Sequence, residues 1–298
     1  MWAFIDLHVL KNIPVTHSRR AIAPVLLSGL CFAVVAALGA CGDHATAPAT
    51  SPYAKGRLSA RPHSTSDAAG LAVGLSYETI VGADKPVAVY VPHGYTSDHP
   101  WPVTLLLHGS LGSGAEMAAD FGPYADSVGI VVLAPSAHAY TWDRMATGSY
   151  GPDVAQLDTV LMWAFSNINV DPHRVSIAGF SDGATYSLLL GLKNGDLFDK
   201  IVSLAPCPKM PDDVVGNPLI FIAQGTNDQV LPIDECSRVI VPELRLAGYN
   251  VNYVEYPSPL GDGHYVPPEI ASQAFHWLLD GVASSFGSTY GGSLRRGD

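Results

Sequence analysis

The sequence predicts an α/β protein, with a mostly parallel sheet of about eight strands and helices on both faces. Three observations carry this. Short apolar runs alternate with longer segments of helical period from residue 77 onward, the pattern of repeated β–α units. Runs such as Val103–Leu107 carry no charge and no polar–apolar alternation, as strands covered on both faces do. Finally, Gly179-Phe180-Ser181-Asp182-Gly183 stands between the strand-like Val175–Ala178 and the helical Ala184–Leu190. A strand–turn–helix junction that tight needs small residues on both sides of the serine.

Taking the elements in order, Tyr77–Val81 and Pro86–Val91 read as an antiparallel pair joined through Gly82-Ala83-Asp84-Lys85. Val103–Leu107 is a central parallel strand, Ala115–Ala125 a helix, and Ile130–Ala134 the next strand. Asp153 is placed as the N-cap of a helix to about Ile168, whose Leu157, Val160, Leu161 and Ala164 share one face. Arg174–Ala178 leads into the turn. Lys200–Leu204, Leu219–Ala223 and Asn252–Tyr256 give three more strands, with helices around Glu235–Ala247 and Glu269–Ala283. No insertion of lid size separates the turn from Asp228.

The 298 residues suffice for one large domain plus a targeting segment. A hydrophobic share of 48% against 14% charged residues suits a buried core and argues against disorder. The net charge of -11 leaves no case for a nucleic-acid partner, since phosphate binding needs clustered Lys and Arg. Cys31, Cys41, Cys207 and Cys236 form no Cys-x-x-Cys and no His/Cys cluster at metal spacing, so neither a metal nor a cofactor is expected.

Residues 1–40 have the organisation of a secretory signal: Lys11, Arg19 and Arg20 precede the apolar stretch 21–40. It ends Leu38-Gly39-Ala40-Cys41, resembling a bacterial lipobox with Cys41 as the lipidated residue. Ordinary cleavage and an uncleaved membrane anchor are the other two readings. All three place the catalytic domain outside the cytoplasm. Residues 41–70 have the Ala/Ser/Pro/Thr-rich composition of a flexible linker, 71–284 form the catalytic domain, and 285–298 are a frayed tail.

A serine hydroxyl attacks only when a base takes its proton and an acid holds that base in the right tautomer. Ser181 is the candidate nucleophile. Asp228 follows the strand Leu219–Ala223 and is the candidate acid, ahead of Asp262 and Asp234; a turn-forming aspartate is the bland alternative. Among eleven histidines, His264 alone follows a later strand and precedes the last helix. The backbone N–H of Asp182 and that of Ser110, with Leu111 as second choice, suit an oxyanion hole. His108 reads as a structural residue of that loop rather than a second base.

These motifs, His108-Gly109, Gly-x-Ser-x-Gly, Asp228 and His264, resemble the α/β-hydrolase superfamily, over roughly Tyr77 to Leu279. Within it the sequence is similar to the carboxylesterase and lysophospholipase-like group, and to secreted feruloyl esterases and polyhydroxyalkanoate depolymerases. Two departures are Asp182 itself and the long connection Pro257–Gly263. The resemblance implies a cofactor-free serine carboxylic ester hydrolase; with the leader placing it outside the cytoplasm, a monomer acting on short-chain, phenolic or polyester substrates is expected. Membrane contact is expected only through a lipid on Cys41, from the lipobox-like end of the leader. A peptidase of the same fold is the alternative, and a non-catalytic surface protein a remoter one. Tyr140, Trp142 and Tyr265 are candidate substrate-binding residues, although Trp142 serves equally well as loop packing. Cys207 and Cys236 both fall near the catalytic edge, either bridged or as two free thiols.

Overall fold

The computed structural model describes residues 51–63 and 71–281. The signal segment 1–40, Cys41 and the tail 285–298 lie outside the described residues, as do parts of the expected linker. Eight strands form one sheet: β1 (Gly74–Glu78), β2 (Val87–Val91), β3 (Trp101–Leu107), β4 (Val131–Ala134), β5 (Val170–Phe180), β6 (Lys200–Leu204), β7 (Leu219–Gly225) and β8 (Val251–Tyr256). Their spatial order is β1-β2-β4-β3-β5-β6-β7-β8. β2 runs antiparallel to both neighbours; β4 through β8 are parallel. The helices are α1 (Gly114–Val128), α2 (Asp143–Thr147), α3 (Pro152–Asn167), α4 (Asp182–Lys193), α5 (Ser237–Leu246) and α6 (Pro268–Asp280).

Strand parity divides the core between the two faces. Leu105, Leu107, Ile177, Ile220 and Ile222 pack with α3, α4 and α5. Leu106, Ala178, Phe221 and Ala223 point the other way, toward α1 and α6. Both faces are therefore dry, which is why the central strands lack alternation in sequence.

Local signals set the helix ends. The Ser113 hydroxyl accepts from the Glu116 N–H at 3.2 Å and donates to the Glu116 carboxylate at 3.0 Å, capping α1. Asp153 is not the cap of α3, contrary to the sequence expectation. That helix starts two residues earlier, on Pro152 with Gly151 as its cap, and the buried Asp153 carboxylate bonds elsewhere. α2 escaped the sequence reading because it is a single short turn-and-a-half of mixed polarity.

Residues 51–63 correct the expected start of the domain at residue 71. They form a strap with Leu58 and Ala60 in the core. The buried Asp158 carboxylate accepts from the Ser59 N–H at 2.8 Å, the Ala60 N–H at 2.7 Å and the Tyr53 hydroxyl at 3.1 Å. Asn194 accepts from the Leu58 N–H and donates to the Gly56 carbonyl, while Arg57 and Arg61 pair with Asp196. The strap's backbone is satisfied by side chains remote in sequence, so its linker-like composition is no guide to its structure. Asp158→Ala strips those donors of their acceptor and is expected to cost about 2–4 kcal/mol. The check is the urea midpoint; an unchanged midpoint refutes the role.

Candidate active site

β5 ends at Phe180 and α4 begins at Asp182, leaving Ser181 alone in the turn at φ 57°, ψ -122°. Its N–H is held by the Leu204 carbonyl of β6 at 2.9 Å. A Cβ on Gly179 would stand 2.3 Å from the Gly183 carbonyl oxygen, and one on Gly183 would stand 2.3 Å from that of Leu107. Both glycines are fixed by packing, and the outcome is a serine raised above the sheet's C-terminal edge.

The loops after β7 and β8 bring two partners to it. The Ser181 hydroxyl lies 2.8 Å from His264 Nε2, and His264 Nδ1 lies 2.8 Å from Asp228 Oδ2. Asp228 Oδ1 accepts from the Val230 and Leu231 N–H groups at 3.0 and 2.9 Å. Burial pushes the Asp228 carboxyl upward. The bonds from His264, Leu231 and Gln224 outweigh it and hold the group below the usual carboxylate range. Asp228 is thus an anion that fixes the proton on Nδ1 and leaves Nε2 to accept from Ser181. Asp262 is not the acid: its carboxylate accepts from the His264 N–H at 3.0 Å, and its carbonyl from the Gln229 N–H at 2.8 Å. Asp234 pairs with Arg238.

Sequence reasoning missed the residues that tie these loops together. Gln224, at the end of β7, donates to the Leu231 carbonyl at 2.6 Å and accepts from Ser237. Ser258 accepts from the Asn227 N–H at 3.0 Å. A polar residue ending the apolar run Ile220–Ala223 was the available signal for Gln224.

The loop after β3 runs beside the serine; a Cβ on Gly109 would sit 3.1 Å from that of Ser181. Leu111 cannot be the second oxyanion donor, because its N–H is spent on the Tyr140 carbonyl at 2.7 Å. No acceptor engages the Ser110 N–H among the described residues. The Asp182 N–H, first in α4, has no intrahelical acceptor either. His108 is buried; its Nε2 accepts from the Ala137 N–H at 2.9 Å, so Nδ1 donates to the Gly109 carbonyl at 2.6 Å. Burial pushes its ring below the ordinary histidine value, so it holds the loop as a neutral strut.

Trp142 must be corrected as a substrate contact. It is 0% exposed, donates to the His108 carbonyl at 2.8 Å and stacks on Tyr186 at 5.4 Å. Its neighbour Thr141 donates to the Asp182 carboxylate at 2.7 Å, giving that side chain a purpose the sequence did not reveal. The loop after β4 therefore clamps both halves of the candidate oxyanion hole. Tyr140 is 59% exposed on the same loop. Tyr265 is half-buried beside His264, its carbonyl accepting from the Tyr256 hydroxyl at 2.6 Å.

Cys207 and Cys236 form a disulfide that joins the segment after β6 to the start of α5. It closes a loop spanning 29 residues. On chain-entropy grounds, removing it through Cys207→Ser with Cys236→Ser is expected to cost about 3–4 kcal/mol. Thermal unfolding of the double variant against the oxidised protein measures this, and equal midpoints refute it. Among the described residues no group of three or more His, Cys, Asp or Glu is placed to hold a metal ion.

A parallel-cored sheet with a serine on a sharp β5–α4 turn defines an α/β-hydrolase. The Esterase family model matches residues 79–239, more than half of the chain, so the chain belongs to that family. The match takes in Ser181 and Asp228 and stops short of His264. Over 85 residues the chain is 32% identical to an acetylxylan esterase from Coprinopsis cinerea. That segment is 26% of this chain and only 23% of the relative's length. A thermostable esterase of known structure superposes with a TM-score of 0.55 at 23% identity, over 65% of this chain and 58% of its own. An S-formylglutathione hydrolase from Staphylococcus aureus gives a TM-score of 0.55 at 15% identity, over 70% of this chain and 99% of its own. These two share the fold.

Proposed function

We propose that the protein is a serine carboxylic ester hydrolase that acts outside the cytoplasm. The observation that carries this is the unbroken pair of 2.8 Å bonds from Ser181 through His264 to Asp228, built on an esterase-family turn. Ser181 Oγ attacks the ester carbonyl while its proton passes to His264 Nε2. The tetrahedral oxyanion is received by the N–H groups of Ser110 and Asp182, at the positive end of α4. His264 then gives the proton to the departing alkoxide, leaving an acyl-serine. Water, deprotonated by the same histidine, releases the acid. No step calls for a metal or cofactor.

The substrates are short-chain acyl, phenolic or polyester compounds, and the acetylxylan esterase relative favours a short acyl group on a polysaccharide. An open rim supports bulky alcohols: Leu111, Tyr140, Val230 and Leu260 are exposed apolar side chains on the four loops around Ser181. Residues 205–218 join β6 to β7 without a helix, leaving this side of the site without a lid. Export is supported by the disulfide and the apolar segment ahead of Cys41; no described helix is long and apolar enough to cross a membrane. We take the enzyme to be a monomer, held to a membrane only through Cys41. A p-nitrophenyl alkylphosphonate is expected to modify Ser181 alone, one adduct per chain, and to abolish hydrolysis of p-nitrophenyl acetate. A labelled peptide lacking Ser181, or full activity after labelling, overturns the reading.

A further inference from the structure

A cavity of about 480 Å³ lies beside α4 rather than over Ser181. One wall is the helix face Thr185, Leu189 and Lys193. The opposite wall is the segment from Cys207 to Asp213, pinned by the disulfide. Thr185 accepts from the Cys207 N–H at 2.9 Å and closes the end nearer the turn. At 1.5 Å per residue, the cavity runs from about 6 Å to about 18 Å beyond Ser181 along the helix axis.

Its charge runs against the rest of the molecule. In a chain of net charge -11, Lys55, Arg144, Lys193 and Lys209 all line this one cavity. Elsewhere Arg57, Arg61, Arg174, Lys200 and Arg238 each hold a carboxylate, while Lys85 and Arg245 donate to the Ala137 and Val251 carbonyls. Among the described residues, none of the four cavity cations holds a carboxylate. Lys193 is 8% exposed and donates to the Asp212 carbonyl at 2.7 Å; Arg144 donates to the Gly148 carbonyl. The two charges lie over the ring of Tyr150, at 5.9 and 5.4 Å from its centre. Burial holds the Lys193 amine below the ordinary lysine value, and the nearby Asp212 and Asp213 do not offset it. Lys55 and Lys209 are exposed at the mouth.

We infer that this cavity binds a carboxylate carried on a sugar-sized body, such as a uronic acid. Four cations against Asp212 and Asp213 leave a surplus of two positive charges, which suits a carboxylate better than a polyphosphate. Met145, Leu189, Pro208 and Met210 offer apolar walls for the C–H faces of a sugar ring, and the two aspartates accept from its hydroxyls. Lys193 and Arg144 supply the deep charge. The cavity's place beyond the turn makes the carboxylate part of a long substrate whose ester reaches Ser181; this last step rests on the ester-hydrolase reading above.

The test uses the full mature protein and two xylo-oligosaccharides of equal length, one bearing a single uronic acid branch. By calorimetry the acidic oligosaccharide is expected to bind at least about tenfold tighter, with the difference shrinking at high salt. Lys55→Glu with Lys209→Glu, both exposed and so harmless to the core, is expected to remove the difference. Equal binding of the two sugars by the wild-type protein overturns the site. With the acetylated sugars as substrates, the ratio of kcat/KM for acidic over neutral should exceed about ten and fall toward one in the double variant. A ratio of one alongside charge-dependent binding overturns the substrate assignment and leaves a site for free acidic sugars. If p-nitrophenyl acetate is not hydrolysed while acidic binding persists, the esterase reading fails and the anion site stands.

Discussion

Ser181→Ala is expected to lower kcat for p-nitrophenyl acetate by about 10⁴- to 10⁶-fold, since in the proposed mechanism it removes the nucleophile and with it the whole covalent route. Positioning and the oxyanion donors are left. The same change should leave thermal stability almost untouched. The hydroxyl's bond is to His264 Nε2 at 2.8 Å, and the His264 ring is held from its other side by Asp228. The backbone at φ 57°, ψ -122° is the more telling feature. An L side chain there is strained by about 1–3 kcal/mol, whereas glycine adopts it freely. Ser181→Gly should therefore be as inactive as Ser181→Ala and more stable than the wild type by about 1 kcal/mol. Inactive variants with that order of melting points would show strain held for function. An active Ser181→Ala protein, or a Gly variant less stable than the Ala one, would sink the account of this turn.

The turn was legible in the sequence because its demands are local. A serine between glycines, after an apolar run and before a helical one, satisfies sterics that act over a few residues. The order of Ser181, Asp228 and His264 was legible for a related reason: each follows a recognisable strand, and parallel strands bring their C-terminal ends to one edge. Contacts that span the chain were not legible. Asp158 reaches the strap at residues 59 and 60 across about a hundred positions, and no periodicity marks such a partnership. Trp142 shows the same limit. Its type and loop position fitted a binding role, but direction decides, and the ring points inward onto Tyr186. Leu111 failed as a donor because its N–H had another partner, Tyr140, on a loop the sequence does not connect to it.

Asp228→Asn is expected to cost about 10⁴-fold in kcat although it is nearly isosteric. The geometry explains why. Oδ1 receives the Val230 and Leu231 N–H groups, and Oδ2 faces His264 Nδ1. An asparagine must give its one oxygen to the two backbone donors, which turns its NH2 toward Nδ1. That NH2 can only donate, so the imidazole must carry its proton on Nε2, where it can no longer accept from Ser181. Gln224, donating toward Oδ2 at 3.4 Å, is left facing a second donor. Asp228→Ala should be the milder variant for activity, because the space left admits a water that can accept from Nδ1–H and keep the working tautomer. Asp228 also links activity to acid. Its folded-state value is depressed, so it stabilises the fold above the ordinary aspartate range, and that stability is lost as pH falls through the folded value. The wild type should therefore lose more stability than Asp228→Asn on acidification below about pH 4. Parallel acid titrations of both proteins by circular dichroism measure the difference, and superimposable curves would remove Asp228 from the account.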